Sequence, residues 1–347
     1  MKNLYIGFAL VMGLFFASCR KDTHRPSLPA PIVYVAGYEQ NSSNIPVATI
    51  WENGVATRLT DGTHPSNANT MFVDGTDVYA AGWESNGSGI SVATLWKNGV
   101  ATNLTDGTAN AFVGSVYVSG TDVYAVGYYE QQVPSIGIKF VATLWKNGVA
   151  TALSGAPGGA DPSSVFVSGS NVYVAGSVYG TNSAPTLWTN GTPASLPVGA
   201  GYFAYPESVF VNGSDVYVVG YANDASNTFL IARTWKNGVI TDLTDNTQIA
   251  DAHSVYVSGS DVYVGGNEEN SSGFGVAKIW KNGVATDLSD GTKYCNAFSV
   301  YVNGSDVYAA GIENNGTLGT AILWKNGVAT NLTDGTHDAG VYTVVVK

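Results

Sequence analysis

The motif Trp-x-Asn-Gly recurs seven times along the chain and constrains the fold more than any other feature of the sequence. The seven copies begin at Trp51, Trp96, Trp145, Trp188, Trp235, Trp280 and Trp324. Their spacing of 43 to 49 residues is typical of repeat proteins, in which each repeat buries its apolar surface against its neighbours. The sequence therefore predicts seven similar units in succession.

Each repeat contains four short runs rich in Val, Tyr and Thr, residues that favour strands. In the last repeat these runs are strand A (299–302), strand B (306–311), strand C (321–324) and strand D (328–333). Strands C and D are joined by Asn-Gly, the strongest short signal for a tight hairpin. Four antiparallel strands repeated about every 45 residues describe a propeller blade. The predicted fold is all-β, a seven-bladed β-propeller of four-stranded antiparallel blades.

The two ends of the repeat region predict how the ring closes. The first repeat begins directly with strand B, at residues 32–37, and no strand A precedes it. The last residues, 340–347, have the pattern of an additional strand A. The C-terminal strand is therefore expected to complete the first blade, which makes residues 32–347 one propeller.

The start of the chain has the pattern of a secretory signal, with a basic residue, a short apolar run and then small residues. The apolar run is shorter than the roughly 20 residues that a membrane-spanning helix requires. The ending Phe16-Ala17-Ser18-Cys19 resembles the lipobox of bacterial lipoproteins. The sequence from Ser18 onward also resembles the start of lipoproteins from the Bacteroidetes group.

This resemblance implies a signal peptide at residues 1–18, a lipid on Cys19 and a tether over residues 19–31. The protein is then expected to be exported to the outer membrane or cell surface and to contact the membrane only through its lipid. An ordinary signal peptide with a chance cysteine is the alternative.

Charge and motif content exclude several functions. Only 12% of the residues are charged, and 26 acids against 15 bases give a net charge of −11. A nucleic acid partner is excluded, because the chain cannot neutralise a row of phosphates. The sequence contains no P-loop, zinc-ligand spacing, nucleophile elbow or Rossmann glycine pattern. We therefore predict no cofactor, no metal ligand and no catalytic residue, and we expect a monomer.

Two segments of the repeat resemble known repeat families. Val-Tyr-Val-Ala-Gly after a Ser-Gly-Ser-Asp turn is similar to the Tyr-Val-rich and NHL-type propeller repeats. The segment Ala-x-Leu-Trp-Lys-Asn-Gly-Val-Ala-Thr-x-Leu resembles the HAF repeats of bacterial extracellular proteins. The likeness covers residues 32–346 and implies an exported propeller without an assigned chemistry, since a fold alone does not define a function.

The repeats differ mainly on one face of the predicted ring. The A–B and C–D turns, which we call the uniform rim, are nearly identical in all repeats, whereas the B–C and D–A loops, the variable face, differ in length and sequence. Because scaffolds usually carry function on loops, the variable face is the predicted ligand face, with neutral drift as the alternative. The residue before Ser-Val-Tyr of strand A is expected at the mouth of the central channel. In ring order these residues are Asn69, Gly114, Ser163, Glu207, His253, Phe298 and Ala339.

Candidate site residues on the variable face are aromatic or ionisable. Glu207 and His253 lie on adjacent blades with Asp251 nearby, while Tyr38, Trp83, Tyr128 and Tyr221 follow a glycine at the end of strand B. Aromatic rings beside carboxyl groups suit sugars, which have an apolar face and a hydroxyl edge. The predicted ligand-binding residues are Tyr38, Trp83, Tyr128, Tyr221, Glu207 and His253. Packing of the blade tops is the alternative role for the aromatic residues.

The leading functional hypothesis is a binding protein for a glycan, with a protein partner as the next ligand class. A glycoside hydrolase or lyase that uses carboxyl groups such as those of Glu207 and Asp251 is one alternative. A structural or adhesive module without a small-molecule site is the other. The repeated tryptophans are assigned to packing between blades, and the Asp-Gly-Thr motifs are assigned to turns.

Overall fold

A computed structural model of the chain describes residues 30–347, except residues 136, 154, 156, 181–182, 200–202 and 227. These residues form seven four-stranded antiparallel sheets, arranged as the blades of a seven-bladed β-propeller. The predicted fold class is confirmed. The predicted signal peptide, Cys19 and the tether up to residue 29 lie outside the described residues.

The ring is built from 28 strands, four to each blade. In chain order they are β1 (Val33–Gln40), β2 (Pro46–Glu52), β3 (Val55–Arg58), β4 (Ser66–Asp74), β5 (Asp77–Ser85), β6 (Ser91–Lys97), β7 (Val100–Asn103), β8 (Ala111–Ser119), β9 (Asp122–Val133), β10 (Gly137–Lys146), β11 (Val149–Ala152), β12 (Ala160–Ser168), β13 (Asn171–Tyr179), β14 (Ser183–Thr189), β15 (Thr192–Ser195), β16 (Ala204–Asn212), β17 (Asp215–Asn223), β18 (Leu230–Lys236), β19 (Val239–Asp242), β20 (Ala250–Ser258), β21 (Asp261–Glu269), β22 (Gly275–Lys281), β23 (Val284–Asp287), β24 (Tyr294–Asn303), β25 (Asp306–Asn314), β26 (Gly319–Lys325), β27 (Val328–Asn331) and β28 (Ala339–Val346). Blades 2 to 7 each use four consecutive strands, beginning with β4, β8, β12, β16, β20 and β24 as inner strands.

Blade 1 is completed by the two ends of the propeller, as the sequence predicts. Its strand order is β28-β1-β2-β3, and β28 pairs with β1 from Val33↔Val346 to Glu39↔Ala339. The pairing continues beyond the strands, because Ile32 and Lys347 exchange two backbone hydrogen bonds of 2.7 and 2.9 Å. The first and last repeats are therefore held together by the backbone of the C-terminal strand.

The tryptophans of the repeat are the largest fully buried side chains, each at most 1% exposed. Trp96 of blade 2, for example, packs in one cluster with Ala36 and Ile50 of blade 1. The assignment of these residues to packing between blades is correct. A large aromatic at this position removes apolar surface of two neighbouring sheets from water at once.

The Asn-Gly hairpins of the uniform rim have the same backbone conformation in every blade. The Asn of each Asn-Gly hairpin has φ of 49 to 51°, and its glycine follows at 78 to 83°, which are the positive values a tight hairpin requires. In blade 2, Asn98 accepts a 2.8 Å hydrogen bond from the Val78 backbone and donates one of 2.9 Å to Asp77. Lys97 pairs with the same carboxylate at 2.8 Å. The recurring Lys, Asn and Asp of this rim therefore hold hairpins in place.

A ring of hydroxyl groups links each inner strand to the next blade. The Ser115 hydroxyl accepts a 3.1 Å hydrogen bond from the Val165 backbone of the following blade. Equivalent bonds are accepted by Thr70, Ser164, Ser208, Ser254 and Ser299. The seventh link is reversed, since Thr343 donates to the Asn69 carbonyl at 3.3 Å. The hydroxyl residue before Val-Tyr-Val in the repeat therefore links neighbouring blades through hydrogen bonds around the channel.

One B–C connection of the variable face is an extended hairpin. β9 and β10 continue beyond the blade and pair as far as Val133↔Gly137. This pairing satisfies the backbone groups of the segment. Among the residues that the structure describes, no helix has the length and apolar character needed to span a membrane.

Candidate ligand site at the channel mouth

Every inner strand has a β-bulge at the position where it faces the central channel. The bulged residues are Tyr342, Asn69, Gly114, Ser163, Glu207, His253 and Phe298. All seven line one cavity of about 260 Å³, together with the hydroxyl residues that follow them. A bulge leaves one residue out of the ladder and redirects its side chain, which explains why this position is the most varied of the inner strand.

The predicted channel position is correct in six blades and wrong in blade 1. There the register shifts between Thr343 and Val341, so Tyr342 is the bulged residue and Ala339 pairs with Glu39 at the start of β28. The inner strand of blade 1 has Thr-Val-Val where the repeat has Ser-Val-Tyr. Because the tyrosine of the repeat is missing, the sequence does not reveal how this strand aligns with the other inner strands.

The channel is narrowed toward the uniform rim by an aromatic collar. Six of the seven inner strands place an aromatic ring here, and consecutive rings lie 4.6 to 5.2 Å apart between centroids. The collar residues are Phe72, Tyr117, Phe166, Phe210, Tyr256 and Tyr301. The hydroxyl ring and the bulged residues lie on the other side of the collar, so the cavity they line is approached from the variable face.

A second cavity of about 320 Å³ adjoins the first on the side of blades 2 to 5. Its lining includes Tyr128, Asp161, Ser163, Glu207 and Tyr342. The structure therefore brings two predicted residues, Tyr128 and Glu207, together in one cavity, while Glu207 and the predicted His253 share the first one.

Three carboxyl groups in this region resist ionisation. Burial, followed by the nearby charges of Asp161 and Asp251, raises the pKa of Glu207 to about 8. Burial likewise raises the pKa of Asp161 and of Asp251 to about 6. No lysine or arginine lines either cavity. At pH 7 the second cavity therefore contains a mainly protonated Glu207 and a mainly ionised Asp161, while Asp251, outside both linings, is mainly ionised.

His253 is held as a neutral ring. Its Nε2 accepts a 2.9 Å hydrogen bond from the side-chain amide of Asn296, and its ring lies 5.1 Å from that of Phe298. Burial lowers its pKa to about 4, so the imidazole is uncharged at pH 7. His253 therefore supplies no positive charge to balance the carboxyl groups. Within the described part of the chain, no group of three or more His, Cys, Asp or Glu side chains is placed to hold a metal ion.

The predicted aromatic residues lie at the mouth but differ in their access to it. Tyr128 packs between Phe112 and Phe140, with centroid distances of 5.5 and 4.8 Å, and Trp83 contacts Phe112 at 5.9 Å. Tyr221 lies 5.3 Å from Tyr205. Tyr128 lines the second cavity, whereas Trp83, Tyr221 and the fourth predicted residue, Tyr38, line neither of the two cavities. All of them are half-buried.

Tyr38 is positioned by the closing strand. Its hydroxyl donates a 2.7 Å hydrogen bond to Asp338, and its ring stacks on Tyr342 at 6.4 Å. Tyr38 and Trp83 border the site through Tyr342 and Phe112, which line it.

Asp161 and Phe112 are site residues that were not predicted from the sequence. Asp161 lies two residues before the bulge of β12, the same place that Asp251 occupies in β20, so an alignment of repeats contains the signal. Phe112 and Tyr205 lie opposite Tyr128 and Tyr221 in the strand register. These residues lie on the inner strands β8, β12 and β16, which hold their side chains in fixed positions.

The fold and this site define a class, a seven-bladed β-propeller with a polar channel that opens on one face. No protein-family model matches the chain, and no curated protein matches its sequence. Among solved structures, the β-propeller domain of the trilobed protease from Pyrococcus furiosus is similar at a TM-score of 0.56 and 12% identity, covering 88% of this chain and 93% of that one. That domain is described as having an open velcro topology, whereas β28 closes the ring here.

An acylaminoacyl peptidase from Pyrococcus horikoshii is also similar, at a TM-score of 0.52 and 14% identity, over 88% of this chain. The match covers 51% of the peptidase, so this chain spans about half of its length. Likeness at such identities shows the propeller fold alone.

Proposed function

We propose that this protein binds a glycan at the mouth of its propeller channel. The observation that carries the proposal is the second cavity, where the ring of Tyr128 and the carboxyl groups of Asp161 and Glu207 face the same space of about 320 Å³. A sugar ring packs its apolar face on an aromatic ring and directs hydroxyl groups to carboxyl oxygens. A protein that presents a sugar-bearing or polar loop is the second ligand class.

The rigidity of the site supports this proposal. Tyr128 lies on β9, which pairs with a strand on each side. Asp161 and Glu207 lie on the inner strands β12 and β16, which pair with one strand of their own blade and face the neighbouring blades. Side chains already held by a scaffold lose little conformational entropy when a ligand binds. Weak individual contacts to sugar hydroxyls then suffice for measurable affinity.

A glycoside hydrolase or lyase is the second candidate, and the pKa values of the carboxyl groups favour it. A protonated Glu207 beside ionised aspartates is the arrangement that acid–base cleavage of a glycosidic bond uses. Incubation of each bound glycan with the protein separates the two candidates, since shortened chains appear only if the site is catalytic.

Replacement of Tyr128 by alanine is expected to weaken glycan binding about tenfold, which corresponds to about 1.4 kcal/mol, because the apolar platform is lost. Trp83→Ala is expected to have a smaller effect, since Trp83 reaches the cavity through Phe112. Glycan-array screening identifies the ligand, and calorimetric titration measures the affinities.

Phe274→Ala is the matched control for these variants, because Phe274 is an exposed aromatic outside both cavities. Its affinity should equal that of the unaltered protein. If Tyr128→Ala lowers the melting temperature and leaves the affinity intact, the aromatic residues serve packing and the proposed site is wrong.

We also propose export and anchoring through a lipid on Cys19, on the basis of the lipobox resemblance. Cys19→Ser removes the thiol that would carry the lipid, so this variant should leave the membrane fraction and take up no labelled fatty acid. Cys295→Ala is the control, because Cys295 is buried in the propeller and should not affect labelling. Undiminished labelling of Cys19→Ser would contradict the proposal.

A further inference from the structure

We propose that Asn303 is a site of spontaneous deamidation, and that ring closure through β28 leaves its side chain free for this reaction. An asparagine that precedes a glycine is open to attack on its side-chain amide by the backbone nitrogen of that glycine, because glycine has no Cβ to hinder the approach. The inference concerns the uniform rim and is independent of the glycan-binding function proposed above.

Hydrogen bonds hold the side chain of nearly every asparagine that could react in this way. The chain contains eleven Asn-Gly pairs. In the C–D hairpin of blade 7, Asn326 accepts a 2.8 Å hydrogen bond from the Val307 backbone and donates one of 2.8 Å to Asp306. The same two kinds of bond hold the hairpin asparagines of five other blades, Asn98, Asn147, Asn190, Asn237 and Asn282.

Four further Asn-Gly pairs also have an engaged asparagine. Asn53 accepts from the Val33 backbone at 2.9 Å, and the remaining three are Asn86, Asn212 and Asn315. A side chain held in this way must break its hydrogen bonds before its carbonyl carbon can turn toward the backbone. These bonds therefore slow deamidation at ten of the eleven pairs.

Asn303 is the exception. Within the part of the chain that the structure describes, it is the one asparagine before a glycine whose side chain makes no hydrogen bond. It is exposed at the end of β24. Gly304 follows with φ of 61°, and an added Cβ would have nothing within 4 Å. The amide of Asn303 and the backbone nitrogen of Gly304 are thus both accessible to each other and to water.

The position of Asn303 next to the closing strand explains why its side chain is free. The residue at the rim end of an inner strand can reach the A–B turn of the next blade. In blade 5, Asn212 donates a 2.9 Å hydrogen bond to the carbonyl of Gly259 in the turn of blade 6. In blade 1, Lys347 donates to the carbonyl of Gly75 in the turn of blade 2.

Blade 7 is followed by blade 1, in which the inner strand is β28 and its partner is β1. These two strands come from opposite ends of the propeller, so within the described residues no glycine turn connects them. Asn303 therefore faces a blade that lacks the carbonyl to which Asn212 donates. The closure that joins the first and last repeats leaves this one asparagine without a partner.

The reaction requires only water as a second reactant. The Gly304 nitrogen forms a bond with the side-chain carbonyl carbon of Asn303, the bond from that carbon to the side-chain nitrogen breaks, and the proton of Gly304 leaves with the released ammonia. Water then opens the resulting succinimide ring at either of its two carbonyl carbons and gives aspartate or isoaspartate. Both products add a carboxylate to the uniform rim.

Asn212 is a matched reference within the same molecule. Residues 211–217 and 302–308 have the same sequence, both asparagines are exposed, and the glycines that follow them have φ of 62 and 61°. The local sequence therefore gives both sites the same intrinsic reactivity. They differ in the hydrogen bond that Asn212 makes to the next blade.

The experiment incubates the intact protein at mildly alkaline pH and measures each site by peptide mapping with fragmentation mass spectrometry. Deamidation should be about fivefold faster at Asn303 than at Asn212, the effect on a rate of one net hydrogen bond. Asn326 and its equivalents should react more slowly still. In urea the rates at Asn303 and Asn212 should become equal, because only the folded protein distinguishes them. Equal rates in the folded protein, or a faster reaction at Asn212 or Asn326, would overturn the proposal.

Two variants test the same proposal on the whole protein. Asn303→Gln keeps the amide but lengthens the side chain, so that cyclisation requires a larger ring. This variant should accumulate acidic species on isoelectric focusing several times more slowly than the unaltered protein and should have the same melting temperature. Asn212→Gln is the control and should accumulate them at the unaltered rate. If Asn303→Gln accumulates acidic species as fast as the unaltered protein, Asn303 is not the main site of deamidation.

Discussion

A variant that ends at Gly340 is expected to lose the cooperative unfolding of the full chain and to aggregate. It lacks the part of β28 in which Val341, Val344 and Val346 are at most 4% exposed. At roughly 1.5–3 kcal/mol for each fully buried side chain, their loss costs roughly 5–9 kcal/mol. That is comparable with the whole stability of a typical domain, about 5–15 kcal/mol.

The deletion also severs the connections of blade 1 to both neighbours. The Val344 backbone donates to Ser299 of blade 7 at 3.1 Å, and Thr343 donates to the Asn69 carbonyl of blade 2 at 3.3 Å. Without them β1 becomes an unpaired edge facing the channel. Thermal unfolding followed by circular dichroism and light scattering measures the effect.

Removal of residues 20–29, the predicted tether, is the control for this deletion and should leave the melting curve unchanged. If the variant ending at Gly340 melts as cooperatively and at as high a temperature as the full chain, ring closure by β28 does not stabilise the propeller.

Gly82→Ala is expected to be the most damaging single-methyl change in blade 2. A Cβ at this position would lie 2.0 Å from the Asn67 carbonyl oxygen and 3.0 Å from the Asn69 backbone nitrogen. Both contacts are backbone atoms at the bulge of β4, so neither can rotate away. We expect a loss of about 3 kcal/mol, the upper part of the range for overpacking, and a melting temperature lower by about 6 °C.

Gly87→Ala is the matched control for this prediction. Gly87 lies five residues further along the same blade, has no positive φ, and has nothing within 4 Å of an added Cβ. Its substitution should change the free energy of unfolding by less than about 0.5 kcal/mol. Chemical denaturation of both variants provides the comparison, and equal stabilities would show that the bulge accommodates a side chain at Gly82.

Much of this fold can be predicted from local sequence, because the signals for hairpins and strands act between neighbouring residues. Asn-Gly sets the positive φ values of each hairpin, and strand patterning with a period near 45 residues sets the number of blades. The fully buried Trp96 and its equivalents were recognisable from recurrence alone. The closing role of residues 340–347 followed from a strand missing at one end and an additional strand at the other.

The composition of the candidate site depended on tertiary structure. Asp161, Glu207 and Asp251 are far apart in the chain, and only the ring places them around one channel. Their raised pKa values come first from burial, and that of Glu207 also from the charges of Asp161 and Asp251, which lie in other repeats. Tyr342 occupies the channel of blade 1 because the β28 register shifts by one residue there. Local sequence therefore determined the blades, whereas the register between strands and the meeting of distant blades decided which side chains share the channel.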